Sequence, residues 1–249
     1  MISDINTYGI MRGGIHAFHS WLISKMEDDS LLYYNNIKNK ISQDRLIKKS
    51  DTRVQSIKDR LSELSEDANK TNTVALTKVK YRLKSYESRW LSELTFPLDE
   101  TNIFIIRNPY NNLASSIAYV ENGGKCKEVR TGDDFISMWK QYAMFILKVS
   151  KQKGLKLNFI IVIYDMFISD DKYRNKISKL LNEEIELKYP SLDDLNNRIY
   201  MGGGSSFKTN NYHSRYHDYM ENELMKKLIN DREVHDLWDR IITELYYFE

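Results

Sequence analysis

The sequence predicts a three-layer α/β domain built on a central parallel sheet. Two buried-strand signatures, and the way helical stretches alternate with them, carry that prediction. Asn102-Ile103-Phe104-Ile105-Ile106 and Phe159-Ile160-Ile161-Val162-Ile163 are continuous apolar runs, which is what a parallel strand covered on both faces requires. Helical periodicity follows each of them. The resulting order β, α, β, α, β, α is that of a parallel sheet with right-handed crossovers.

Taken in order, the chain opens with a short β-like run, Thr7-Tyr8-Gly9-Ile10-Met11, broken at Arg12-Gly13-Gly14 and continued by an amphipathic stretch from His16 to Met26. That reads as strand, tight loop, helix. From about Asn36 to Arg89 the sequence is polar and charged, with Ile37, Ile41, Val54, Ile57, Leu61 and Leu64 at spacings near three and four. Helices with one apolar stripe fit this pattern, so a charged helical insertion is expected over about 30–92. Its Lys38, Lys40, Lys48, Lys49, Arg53 and Lys58 form either a solvated face or a locally basic one.

Arg107-Asn108-Pro109 stops the first buried run, and a helix is expected from near Asn111. After a Gly123-Gly124 turn, Met138, Trp139, Tyr142, Ile146 and Val149 recur with helical spacing from Asp133 onward. The second buried strand lies within Leu157 to Tyr164, and Asp171 to Asn182 resumes a helical pattern. A glycine-rich loop, Met201-Gly202-Gly203-Gly204-Ser205-Ser206-Phe207, precedes helical segments rich in Tyr, His and charge. With no internal repeat or low-complexity linker, residues 1–249 are expected to form one domain.

Composition narrows the function. The 249 residues are 41% hydrophobic with only 3 prolines, enough apolar material for a packed core and unlike a disordered chain. Lys plus Arg total 37 against 35 for Asp plus Glu, a formal charge of +2. Such a balance offers no global field for nucleic acid or an anionic membrane, so any anion must be bound locally. Cys126 is the sole cysteine, which excludes intramolecular disulfides and a thiolate metal cluster. No apolar run approaches the roughly 20 residues of a membrane span, and no leader pattern opens the chain. A reducing, cytoplasmic setting is the expectation.

Two constellations could carry chemistry. A strand leading through Arg12-Gly13-Gly14-Ile15-His16-Ala17 into a helix presents backbone N–H groups and a helix N-terminus to an anion; the same glycine pair also suits a plain tight turn. The Walker pattern is absent, which disfavours an ATP or GTP hydrolase. Arg107 stands at the carboxyl end of a buried strand, where ligands of open α/β sheets gather, and Ser115 follows eight positions later. A guanidinium fork and a hydroxyl there suit a phosphate; the alternative is an Arg107 paired with a carboxylate and a neutral helical serine.

Together, Arg12-Gly13-Gly14 after the first strand, Arg107-Asn108-Pro109 with Ser115 beyond it, and Tyr164-Asp165-Met166-Phe167 after a buried strand resemble the sulfotransferases that use 3′-phosphoadenosine 5′-phosphosulfate (PAPS). The likeness is greatest to bacterial and viral members, over residues 7–24 and 100–183. It implies a P-loop-like sulfotransferase fold and transfer of a sulfuryl group to a hydroxyl or amine acceptor: a glycan, lipid or small molecule. It further implies that Arg12, Gly13, Gly14, Ile15, His16 and Ala17 wrap the 5′-phosphosulfate, and that Arg107 and Ser115 hold the 3′-phosphate. The Gly202–Phe207 loop would close over the nucleotide through Ser205 and Ser206. Arg12 would stabilise charge on the leaving phosphate, and His16 or Glu87 would serve as general base. The bland alternatives are an anion or capping donor for His16 and a surface pair with Arg89 for Glu87. The loop departs from the family where Ile15 and His16 replace its Ser or Thr hydroxyls.

Sulfuryl oxygens carry less negative charge than phosphoryl ones, and no carboxylate cluster is spaced for a metal, so no metal requirement is expected. Two rival functions remain: a non-catalytic nucleotide-binding or scaffold module on the same fold, and a P-loop nucleotide kinase, which lacks its lysine here.

Overall fold

The computed structural model describes residues 3–23, 31–34, 81–87, 100–124, 126, 133–151, 159–181 and 214–246. In chain order these form β1 (Ser3–Gly9), α1 (Ile15–Ile23), β2 (Leu31–Tyr34), β3 (Tyr81–Glu87), β4 (Thr101–Ile106), α2 (Pro109–Glu121), α3 (Asp133–Ser150), β5 (Phe159–Ile163), α4 (Tyr164–Ser169) and α5 (Asp171–Leu181). A short 3₁₀ turn (Arg215–Tyr219), α6 (Glu223–Ile229), α7 (Arg232–Ile241) and a π turn (Ile242–Tyr246) complete them. The strands make one sheet of five, in the order β2-β3-β1-β4-β5, and every pairing is parallel.

The two apolar runs are strands because no other element buries them so fully. Ile103 to Ile106 and Val162 and Ile163 are all 0% exposed, and the runs pair directly, Ile103 to Ile160 and Ile105 to Val162. Alternation sends one set of side chains to each face. On one face Phe104 meets Phe145 of α3 with ring centroids 5.4 Å apart. On the other, Ile15 of α1 closes on Gly9, where an added Cβ would stand 3.0 Å from the Ile15 methyl. Helices therefore cover both faces, the expected three layers. Phe18 and Trp21 carry α1 onto Phe167 of α4, at 5.3 and 5.0 Å. At the other end of the chain, α7 packs on α3 through Trp238 and Trp139, and Lys140 bridges Asp231 and Glu233 at 2.7 Å each.

The helical reading of 30–92 is corrected where the structure describes that segment: Leu31–Tyr34 and Tyr81–Glu87 are sheet strands. β3 pairs with β1 along its whole length, from Ser3 against Tyr81 to Gly9 against Glu87, and Tyr86 stacks on Tyr8 at 4.8 Å and 13°. A charged run becomes a strand because a tertiary partner supplies its ladder, and strand preference follows that context more than composition. The rest of the insertion lies outside the described residues.

Helix α2 starts earlier than the Asn111 expected. Pro109 occupies its first position, where a missing N–H is harmless and φ is already helical. Asn108 caps it, its side-chain oxygen accepting from the N–H groups of Tyr110 and Asn111, a device that stabilises a helix by about 1 kcal/mol. The cap thus fixes where α2 leaves the end of β4.

Candidate functional site

Between β3 and β4 the chain crosses from one side of β1 to the other. The carboxyl ends of the strands at such a change of direction are the usual place for a ligand in an open α/β sheet. Three segments converge there: the loop after β1, the first turns of α2 after β4, and the corner between β5 and α4.

The first loop is tight. Gly13 N–H donates to the Ile10 carbonyl at 3.0 Å, and Phe18 N–H donates to the Gly14 carbonyl at 3.1 Å as α1 begins. Arg12 sits in the left-handed region at φ 61 and Gly14 at φ 105. A Cβ on Gly14 would lie 2.2 Å from Cδ2 of Tyr164, and one on Gly13 would lie 2.8 Å from the Ile10 carbonyl oxygen. The main chain is therefore pressed onto an aromatic ring at one glycine and folded onto itself at the other. A side chain fits neither position.

Arg107, at the end of β4, is only 4% exposed. Its Nη1 donates to the carbonyl oxygen of Arg12 at 3.1 Å, and its guanidinium carbon lies 5.1 Å from the centre of the Tyr164 ring. The Trp139 indole holds the Arg107 carbonyl at 3.1 Å. The Arg107 Nε is buried with no hydrogen-bond partner, and among the described residues Arg107 makes no ion pair with a carboxylate. From the loop, Arg12 reaches the other way: Nε donates to Ser115 Oγ at 3.3 Å, and its guanidinium lies 5.0 Å from the centre of the Tyr119 ring. Arg12 thus meets Arg107 and Ser115, which lie 95 and 103 positions further along the chain, at one end of the sheet.

The remaining residues singled out from the sequence differ in their surroundings. Ile15 is buried at 1% exposure, packed over Gly9 rather than open to a ligand, so only its backbone N–H is at the loop. His16 and Ala17 are half-buried on the first turn of α1. His19, one turn on, is fully buried, and burial holds its imidazole well below the usual histidine pKa, with His16 adding to the effect. Glu87 ends β3 opposite Gly9, at the same edge of the sheet as the loop. Ser205 and Ser206 lie outside the described residues.

Several groups here carry no site role in the sequence reading. Tyr164, which that reading places in the motif Tyr164-Asp165-Met166-Phe167 after a buried strand, supports both Gly14 and Arg107. Tyr119 lies four residues beyond Ser115, on the same helical face. Asp165, 6% exposed, accepts from Asn108 N–H at 2.6 Å and from the Asn111 side-chain amide at 3.3 Å, tying the start of α2 to the first turn of α4. Asn112 is 0% exposed and sits beside Gly13.

No protein-family profile matches the sequence, nor does any curated protein. Solved structures do match in fold. A sulfotransferase domain from the curacin biosynthetic pathway is similar with a TM-score of 0.52 at 14% identity, over 100% of this chain and 99% of that one. Retinol dehydratase, solved in complex with androsterone and the inactive cofactor PAP, is similar with a TM-score of 0.50 at 14% identity, over 94% of this chain and 80% of that one. The chain has the α/β fold of the sulfotransferases.

Proposed function

We propose that this protein is a sulfotransferase that carries a sulfuryl group from PAPS to a hydroxyl or amine acceptor. The observation that carries the reading is the convergence of the Arg12 loop, Arg107 and Ser115 at the switch point of the sheet. The residues fit an anionic nucleotide: a cradle in which two glycines bring backbone close, two guanidinium groups, and a buried Arg107 Nε with bonding capacity to spare. Arg107 and Ser115 would hold the 3′-phosphate, with Arg12 reaching Ser115 from the loop. The N–H groups from Gly14 to Ala17 would hold the 5′ side.

Sulfuryl transfer, like phosphoryl transfer, runs in line through a loose transition state, so the protein acts mainly by positioning and by stabilising charge on the leaving phosphate. Backbone donors of the loop do that without reorganising during the step, while the Arg12 guanidinium, held at Ser115, adds positive charge beside the 3′ end. Proton removal from the acceptor falls to Glu87 or His16, at the loop's flanks. No metal is needed.

A non-catalytic nucleotide-binding module is the second reading, favoured by the lack of a Ser or Thr hydroxyl in the loop. Incubation with sulfur-labelled PAPS, in EDTA, with a panel of glycans, lipids and small alcohols separates the two. Label transfer to any acceptor is expected; nucleotide binding with no transfer throughout would favour the module.

A further inference from the structure

Asn112 lies on the first turn of α2 beyond its cap, and its side chain is fully enclosed at 0% exposure. Neither its Nδ2 nor its Oδ1 has a hydrogen-bond partner. Native proteins pair the great majority of such groups, and an orphaned buried amide destabilises the fold unless water or a ligand satisfies it. Its surroundings indicate what that partner would be. Nδ2 stands 3.6 Å from the point where a Cβ on Gly13 would lie, so the amide is held against the loop whose N–H groups form the anion cradle. That loop lacks a side-chain hydroxyl, since Ile15 is turned into the core and His16 stands next to it.

We propose that the Asn112 carboxamide supplies, from the neighbouring helix, the side-chain donor missing from the loop, with Nδ2–H directed at an oxygen of the 5′-phosphate group. This rests on the PAPS reading above. A neutral donor there adds a hydrogen bond to a charged acceptor, a stronger type of bond than one between neutral groups. It also makes Asn112 a residue that selects for an occupied 5′ position while leaving the 3′ end untouched.

Titration calorimetry compares wild type with Asn112→Leu, which is similar in shape but apolar, using 3′-phosphoadenosine 5′-phosphate and adenosine 3′-phosphate as probes. The expected result is at least about a tenfold loss for the bisphosphate, less than about a twofold change for the 3′-monophosphate, and a melting temperature no lower than wild type, because an unsatisfied amide has been removed. Equal losses for both probes, or no loss for either, overturn the assignment of Asn112 and leave the PAPS reading standing. A wild-type protein that binds neither probe overturns both. Should Asn112→Leu fail to fold, Asn112→Ala takes its place under the same criteria.

Discussion

Arg107 donates a hydrogen bond from Nη1 to the main-chain carbonyl of Arg12 at 3.1 Å, across 95 positions of sequence. One arginine thus holds the backbone of the loop that carries the other. Replacing Arg107 by Ala removes a buried, charged donor and strands that carbonyl, which destabilises by about 1–3 kcal/mol. Arg107→Lys keeps the charge but loses the planar fork. Thermal melts should rank wild type above Arg107→Lys above Arg107→Ala; an unchanged melting temperature for Ala would mean that the bond does not hold the loop.

Arg12 separates fold from function. Its φ of 61 disfavours an L side chain by roughly 1–2 kcal/mol, so Arg12→Gly relieves the backbone while deleting the contacts with Ser115 and Tyr119. The variant should melt within about 1 kcal/mol of wild type, yet lose PAPS-dependent label transfer by at least tenfold. A variant as active as wild type would remove Arg12 from the proposed machinery.

At Gly14 the obstacle is both steric and torsional. Gly14→Ala places a methyl 2.2 Å from the Tyr164 ring at φ 105, and should destabilise by well over 1 kcal/mol. Adding Tyr164→Ala clears the clash but not the torsion, and also removes the ring under Arg107. Denaturant melts of the single and double variants read the coupling; additive losses would show that Tyr164 is not what confines Gly14.

Much of this arrangement was legible in the sequence. The apolar runs of β4 and β5 announced parallel strands, and Arg12-Gly13-Gly14, Arg107 and Ser115 were recognisable by type and spacing. What escaped was whatever depends on a partner. β3 carries Arg82, Lys84 and Glu87, so composition pointed to a solvated helix, and only pairing with β1 makes it a strand. Ile15 stood in the donor loop by position, while its side chain belongs to the core. Tyr164 and Tyr119 have no signature as ring supports until two guanidinium groups are placed over them.

His19 gives the fold a pH dependence of known sign. Burial depresses its pKa in the folded protein, so below the unfolded value near 6.5 the unfolded chain binds the proton more readily. Stability from this group is present above that value and falls as pH drops below it, by up to about 1.4 kcal/mol per pH unit for one proton. Melting temperatures from roughly pH 8 to pH 5 should decline more steeply for wild type than for His19→Phe. Parallel curves would show that His19 is not the group responsible.

PAPS chemistry needs a single nucleotide to engage both the glycine loop and the arginine at the end of β4. Calorimetric titration of the intact protein with 3′-phosphoadenosine 5′-phosphate, without metal, tests this directly. Dissociation in the micromolar range or tighter is expected, weakened more than about tenfold, or 1.4 kcal/mol, by Arg107→Ala in a variant still folded at the assay temperature. Absence of any binding heat from the wild-type protein, or equal affinity in the variant, would contradict it.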